Sequence, residues 1–307
     1  MKKKAVILIF AIFLLENIYS ANTSLRISDF SRNITLNYDL KGGAEIIQTL
    51  TVKHKGDSRD FFLTFQSGSS GQWTNRTVVN GGSILNYQIY RDSSKIDILK
   101  DIPDNPSGTE IVSGSFPQSS TFQFITISYT IHVPTDQFDI AGVYSDTFDV
   151  ILYSGNLSAY TQEDVKSHTI KVTMPASLEL SITPTGVPFN ETSTSVDLNF
   201  GILSAGSSRS ADAVIRTNSP YSVLVLSENG GRLVHADPAI SDIVPYTFLF
   251  NGTVTDLSGI TPVQVVTGAA ITPWEGSRYP MEITISDFGM AAKGQYSDNI
   301  TLTIQAQ

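Results

Sequence analysis

The sequence predicts an all-β protein of two tandem immunoglobulin-like β-sandwich domains, the second short of its last strand. Three observations lead there. Short segments in which apolar and polar residues alternate recur between clusters of Gly, Pro, Asn, Asp and Ser, and that alternation is the period of a strand with one buried face. Charged residues make up only 16% of the chain, and beyond the N-terminus the Ala, Leu, Glu and Lys runs that build helices are missing. Finally, a patterned stretch near the middle of the chain reappears at its end.

Taken in order, Lys2, Lys3 and Lys4 precede eleven unbroken apolar residues at 5–15. This is a positive leader followed by an apolar run too short to span a bilayer, and the small residues Ser20 and Ala21 offer a cleavage point. Residues 1–20 are therefore expected to be a signal peptide. No later stretch approaches the length of a membrane-spanning helix. Removing the leader takes away three positive charges and one negative, so the formal charge moves from −9 to −11. An acidic surface argues against nucleic acid, whose phosphates need stripes of Lys and Arg. There is no cysteine, so an exported chain must hold its domains by hydrophobic burial, without disulfides or thiolate metal sites. The mature length suits two domains of about 140 residues, each able to bury an ordinary core.

In the first half, Ile34, Leu36 and Tyr38 alternate with polar residues, as do Phe61, Leu63 and Phe65, and then Ile125, Ile127, Tyr129 and Ile131. Between them lie Gly42-Gly43, Gly68-Ser69-Ser70-Gly71, Asn80-Gly81-Gly82 and Pro103-Asp104-Asn105-Pro106. Gly supplies positive φ, Pro removes a donor, and Asn and Asp bond back to local backbone, so each cluster reads as a loop. Short strands so punctuated suggest a sandwich, with a closed barrel as the all-β alternative.

The second half repeats the first. Gly142-Val143-Tyr144-Ser145-Asp146 and the strand after it match Gly294-Gln295-Tyr296-Ser297-Asp298 at an offset of 152. Tyr144, Phe148, Val150 and Leu152 answer Tyr296, Ile300, Leu302 and Ile304, which puts the same positions on one apolar face. Leu85-Asn86-Tyr87 likewise resembles Val244-Pro245-Tyr246, and Phe61 to Ser67 resembles Tyr221 to Ser227. We expect a first domain at 21–155, a linker at 156–165 and a second domain at 166–307. The last patterned strand opens at Tyr296, and the sequence after it leaves no room for a further strand to pair with it. The expectation is an open edge that a partner fills by strand addition, against the alternative of a complete sandwich with a terminal edge strand.

Enzyme chemistry is not expected. His54, His132, His168 and His235 are isolated, and no His-Glu-x-x-His pair, Gly-x-Ser-x-Gly elbow or phosphate-binding loop is present. Tyr144 and Tyr296 read as buried anchors of a strand start, and Asp146 and Asp298 as acceptors beside a turn. The stretch from Asp101 to Glu110 gathers oxygen ligands, but its spacing departs from calcium-loop patterns, and neither a metal nor a cofactor is expected. Trp73, Phe116 and Trp274 sit among turn residues. As exposed loop aromatics they would suit attachment to apolar surfaces or glycans; as caps they would tuck under their own loops.

The Gly-x-Tyr-Ser-Asp strand, the internal Leu85-x-Tyr87-x-Ile89-Tyr90 and the Phe200-Gly201-x-Leu203 segment together resemble the spore coat protein U domain of archaic, Csu-type chaperone–usher pilins. The family's common cysteines are absent, and Phe-Gly-x-Leu is clear only in the second half. Two such domains in tandem resemble a tip adhesin, in which the first binds and the second joins the fibre. The resemblance implies a non-enzymatic fimbrial subunit, exported to the periplasm and displayed at the cell surface. It implies as partners a periplasmic chaperone, an outer-membrane usher and neighbouring pilin subunits, with an abiotic surface or glycan as ligand. A shaft subunit needs a donor extension ahead of its first domain, and residues 21–30 offer only a short one. The reading from another class is a free-standing secreted carbohydrate-binding module.

Overall fold

Apolar side chains at every second position can be buried together only if each segment is extended and its backbone is paired by neighbours. The computed structural model, which describes residues 24–269 and 271–307, meets that demand almost entirely with strands. The expected signal peptide lies outside the described residues. The first half contains β1 (Arg26–Phe30), β2 (Asn33–Asn37), β3 (Ala44–Gly56), β4 (Arg59–Phe65), β5 (Arg76–Asn80), β6 (Ser83–Tyr90), β7 (Val112–Phe116), β8 (Ser119–Val133), β9 (Gly142–Asn156) and β10 (Ala159–Met174). One layer runs β1-β3-β8-β6 and the other β5-β9-β10-β2, with β4 paired to β9 and β7 paired to β4. Strand β6 pairs with β8 and with β5, carrying the ladder from one layer to the other. The chain also changes layers between β1, which pairs with β3, and β2, which lies parallel to β10.

Between the layers, Leu50, Val52, Leu63, Phe65, Val78, Leu85 and Val150 are buried. One charge is buried with them. Arg76 donates to the carbonyls of Gln66, Phe65 and Leu99 and to Oε1 of Gln88 at 2.7–3.0 Å, and burial lowers its guanidinium to about 10. An unpartnered buried charge would cost several kcal/mol, so these acceptors are what make the site tolerable, and they tie two loops to β5.

The second half contains β11 (Leu178–Pro184), β12 (Ser208–Thr217), β13 (Tyr221–Ser227), β14 (Arg232–His235), β15 (Ile243–Phe250), β16 (Thr253–Thr255), β17 (Val263–Ala269), β18 (Ser277–Ile285), β19 (Tyr296–Ser297) and β20 (Ile300–Ala306). One sheet is β11-β12-β18-β15-β14-β19, with β16 on β15; the other is β17-β13-β20. The two packed-sheet cores are separate clusters, one ending at Met174 and the next starting at Leu178.

This corrects the expected linker at 156–165. That stretch is the turn and first rungs of a hairpin whose pairs run from Ala159↔Asn156 to Met174↔Gly142. Its polar residues are spent on the hairpin: Glu163 accepts from Ser154 at 2.6 Å and pairs with Arg59, beside a bulge between Gln162 and Asp164. The inward Ile170, Val172 and Met174 fill the first core, not the second. We place the division at 175–177, where Asn218 of the second half holds Ser177 N and Pro175 O and accepts from Ala141 N.

Candidate functional site

The repeated motif does the same local work twice. Tyr144 donates its hydroxyl to the carbonyl of Ile140 at 2.6 Å, and Tyr296 donates to that of Ala292 at 3.0 Å, so each ring locks the entry to its strand. Asp146 accepts from the Tyr87 hydroxyl at 2.7 Å and from Ser69 N at 2.9 Å. Asp298 accepts from the Tyr246 hydroxyl at 2.5 Å, from Ser227 Oγ and from Asn229 N. Burial and the facing carboxylate push both tyrosine hydroxyls well above their usual range. A carboxylate holding a hydroxyl and a turn amide is a structural tether between sheets and needs no reaction to explain it. The glycine opening each motif is required by close approach: a Cβ on Gly142 would stand 2.6 Å from Asn80 Nδ2, and one on Gly294 would collide with the His235 ring.

The strands entered by these motifs then differ. β9 pairs with β4 on one side and β10 on the other. Its counterpart β20 pairs, among the described residues, with β13 alone. The consequence shows in burial: Phe148, Val150 and Leu152 are 1%, 0% and 0% exposed, whereas Ile300, Leu302 and Ile304 are only partly buried. Beside them lies a cleft of about 1160 Å³, lined by Ile182, Val196, Leu198, Phe200, Ile300 and Leu302.

The far wall of that cleft also has a counterpart in the first half. Residues 194–200, with Val196, Leu198 and Phe200 turned to the core, follow β11 as β2, with Ile34 and Leu36, follows β1. In the first half β10 fills the space between β2 and β9, parallel to one and antiparallel to the other. In the second half residues 194–200 form no ladder among the described residues, and the corresponding space is the cleft. Among the described residues, the second half has no strand in the position that β10 holds in the first.

The structure does not bring the three loop aromatics together. Phe116 is 2% exposed and stacks on Phe61 at 5.2 Å, with His54 at 5.4 Å. The expectation of an exposed contact residue fails because Phe116 is the last residue of β7 and its parity there points inward. Trp73 is half-buried, with Lys100 Nζ 3.7 Å from its ring centroid, and that lysine pairs with Glu110 at 2.5 Å. Trp274 is 44% exposed and lies where the halves meet, edge-on to Phe138 at 5.3 Å and 4.2 Å from the Arg216 guanidinium. Arg216 also faces Phe189 and pairs with Glu179 and Glu191, and Glu191 in turn reaches Lys41 of the first half. The acidic loop is likewise committed to the protein itself: Asp101 accepts from Thr64 Oγ1 and Ile102 N, and Glu110 from Ser107 N.

Residues 45–151 match the family model of the Spore Coat Protein U domain, and so the match falls on the first half. No curated protein matches the sequence. Among solved structures the chain is similar to a chain of the CsuC–CsuE chaperone–tip adhesion subunit pre-assembly complex of Acinetobacter baumannii, at 15% identity and a TM-score of 0.42, covering 90% of this chain and 99% of that one. It is also similar to CfaE, the adhesive subunit of CFA/I fimbria of enterotoxigenic Escherichia coli, at 13% identity and 0.40 over 91% and 93% of the two chains. The CupB6 tip adhesin from Pseudomonas aeruginosa gives 9% identity and 0.39 over 91% and 95%.

Proposed function

We propose, from the match of residues 45–151 to the Spore Coat Protein U domain model, that the chain is a non-enzymatic adhesive subunit of a chaperone–usher pilus, exported to the periplasm and displayed at the cell surface. The first half is the complete domain that binds, and the second is the pilin domain that joins the fibre. The carrying observation is the contrast between β9, covered by β10, and β20, whose corresponding edge and apolar face are open. An open edge over an uncovered core is an aggregation hazard unless another chain supplies the strand. Tyr296, Ile300, Leu302 and Ile304 are the acceptor surface; a periplasmic chaperone fills it in transit, and a neighbouring pilin subunit fills it after passage through the outer-membrane usher.

The incoming strand runs as β10 does, antiparallel to β20 and parallel to residues 194–200. Alternate apolar side chains take the places that Ile170, Val172 and Met174 hold in the first core, and each, if fully buried, contributes roughly 1.5–3 kcal/mol. A position at the tip of the fibre fits the fate of the short segment 21–30: its residues Arg26–Phe30 are β1, with Leu25 and Ile27 in the first core, and so are spent within the subunit.

The test is thermal unfolding of the full chain with and without strand peptides of alternating apolar pattern, among them a peptide of residues 167–174. The unfolding step of the second core should rise in temperature while that of the first stays fixed. A soluble monomer whose second step is unmoved by any such peptide, and which is recovered equally well without a chaperone, overturns the reading.

A further inference from the structure

The outward face of the layer β1-β3-β8 carries a feature that strand completion does not use. β8 buries Ile127, Tyr129, Ile131 and Val133, so its even-numbered residues from 122 to 128 point outward, and two of them are phenylalanines. Phe122 is 44% exposed and Phe124 61%. They are accompanied by cations: Lys53 Nζ lies 4.8 Å from the centroid of the Phe122 ring and Lys55 Nζ 5.9 Å. The register sets Arg26, Lys53 and Phe124 in one cross-strand row over β1, β3 and β8, because Arg26 pairs with Lys53 and Lys53 with Phe124. Directly opposed residues of an antiparallel pair share a face. Among the described ion pairs none includes Arg26, Lys53 or Lys55. The next rows carry hydroxyls, Thr51 with Thr126 at 3.3 Å and Thr49 opposite Ser128, and Asp29 of β1 stands opposite Thr51 in the first of them. The other acidic groups near these rows are Asp57 in the turn after β3 and Asp164, whose Oδ2 accepts from Ile27 N at 3.0 Å and whose Oδ1 pairs with Lys166.

The position also matters. Strand β3 begins near the junction of the halves, where Lys41 reaches Glu191, and its far end carries Lys53 and Lys55. At about 3.4 Å per residue, Lys53 is roughly 30 Å along the strand from Ala44. The patch is therefore at the end of β3 remote from that junction.

We propose that this face binds an acidic polysaccharide, with Phe122 and Phe124 packing on the apolar faces of successive sugar rings and Arg26, Lys53 and Lys55 pairing its anionic groups. Rings and hydroxyls side by side suit a sugar, which presents both a C–H face and a hydroxyl edge. Three unpaired cations on a chain of net charge −9 select an anionic ligand locally. A thin polymer touches only the patch, within a Debye length of about 10 Å, whereas an anionic bilayer or duplex would face the acidic remainder of the surface as well. The proposal goes beyond subunit completion and does not depend on the open edge of β20.

The experiment uses the full chain, with binding to hyaluronan, dextran sulfate and neutral dextran measured by affinity electrophoresis and calorimetry. Hyaluronan or dextran sulfate should bind and neutral dextran should not, with hyaluronan distinguishing carboxylate from sulfate recognition. Binding should weaken with added salt, and Lys53→Gln/Lys55→Gln and, separately, Phe122→Ala/Phe124→Ala should each weaken it about tenfold or more, as for anchor residues at a contact. Phe122, Phe124 and Lys55 are exposed and Lys53 is half-buried, all on the outward face, so the melting temperature should hold, which separates lost binding from lost fold. The proposal is overturned if neutral dextran binds as well as the acidic polymers, or if either double variant binds like the parent. It is also overturned if phosphatidylserine vesicles or duplex DNA bind and neither acidic polysaccharide does.

Discussion

Leu152 and Leu302 face inward on the two duplicated strands, so replacing each with Ala makes one chemical change in two settings. Leu152 is 0% exposed under a complete sandwich, and its truncation should cost about 2–5 kcal/mol, the transfer term plus a cavity that cannot collapse. Leu302 lines an open cleft and is only partly buried. Part of its surface is already in water and the space left behind opens to solvent, so its truncation should cost about 1–2 kcal/mol. Denaturant unfolding can assign the loss to a core, because the chain's two tryptophans, Trp73 and Trp274, fall one in each half. Once a strand peptide is bound, the cost of Leu302→Ala should rise into the range of Leu152→Ala, since the peptide seals the cavity. Equal costs for the two variants in the free chain would refute the reasoning, because β20 would then already be covered.

Phe116→Ala should lower the stability of the first core by about 3–5 kcal/mol in thermal or denaturant unfolding, as for a buried large aromatic, with surface attachment changing only in proportion to folded protein. Trp274→Ala should leave both cores folded but lose about 0.5–2 kcal/mol of cation–π contact with Arg216, and proteolysis at 175–177 should quicken. His168 is fully buried, Nδ1 bonded to the Ser31 carbonyl and Nε2 without a partner, and burial lowers its pKa. The folded state therefore binds fewer protons than the unfolded one. Its contribution to stability should be complete above the ordinary histidine pKa of about 6.5 and fall as the pH drops towards the folded value; His168→Gln should flatten that slope in unfolding titrations.

Most of the fold was legible because alternation survives in each strand taken singly. Tyr144, Phe148, Val150 and Leu152 share a face that sequence parity already assigns, and so do Tyr296, Ile300, Leu302 and Ile304. The domain boundary was not legible, since the opening of β10, Thr161 to Asp164, is polar for reasons that only its hairpin partner supplies. Phe116 misled in the other direction: Gly, Ser and Pro around it suggest a loop, while burial follows from pairing with β4. For Phe122 and Phe124 a signal was present and went unused. They stand on the opposite parity to Ile125, Ile127 and Tyr129 within one strand, so two large aromatics had to face outward. That lysines sit beside them required the register between β3 and β8, which one strand's sequence does not contain.

The open edge itself can be observed amide by amide. In hydrogen exchange of the full chain, every second amide of Ile300–Ala306 is bonded to β13 and should be protected, while the intervening ones, facing the cleft, should exchange freely. The corresponding amides of β9, covered by β4 and β10, should all exchange slowly. Addition of a complementing strand peptide should slow the free set without altering the other. Uniform slow exchange along β20 in the unliganded chain would contradict an unfilled second sandwich.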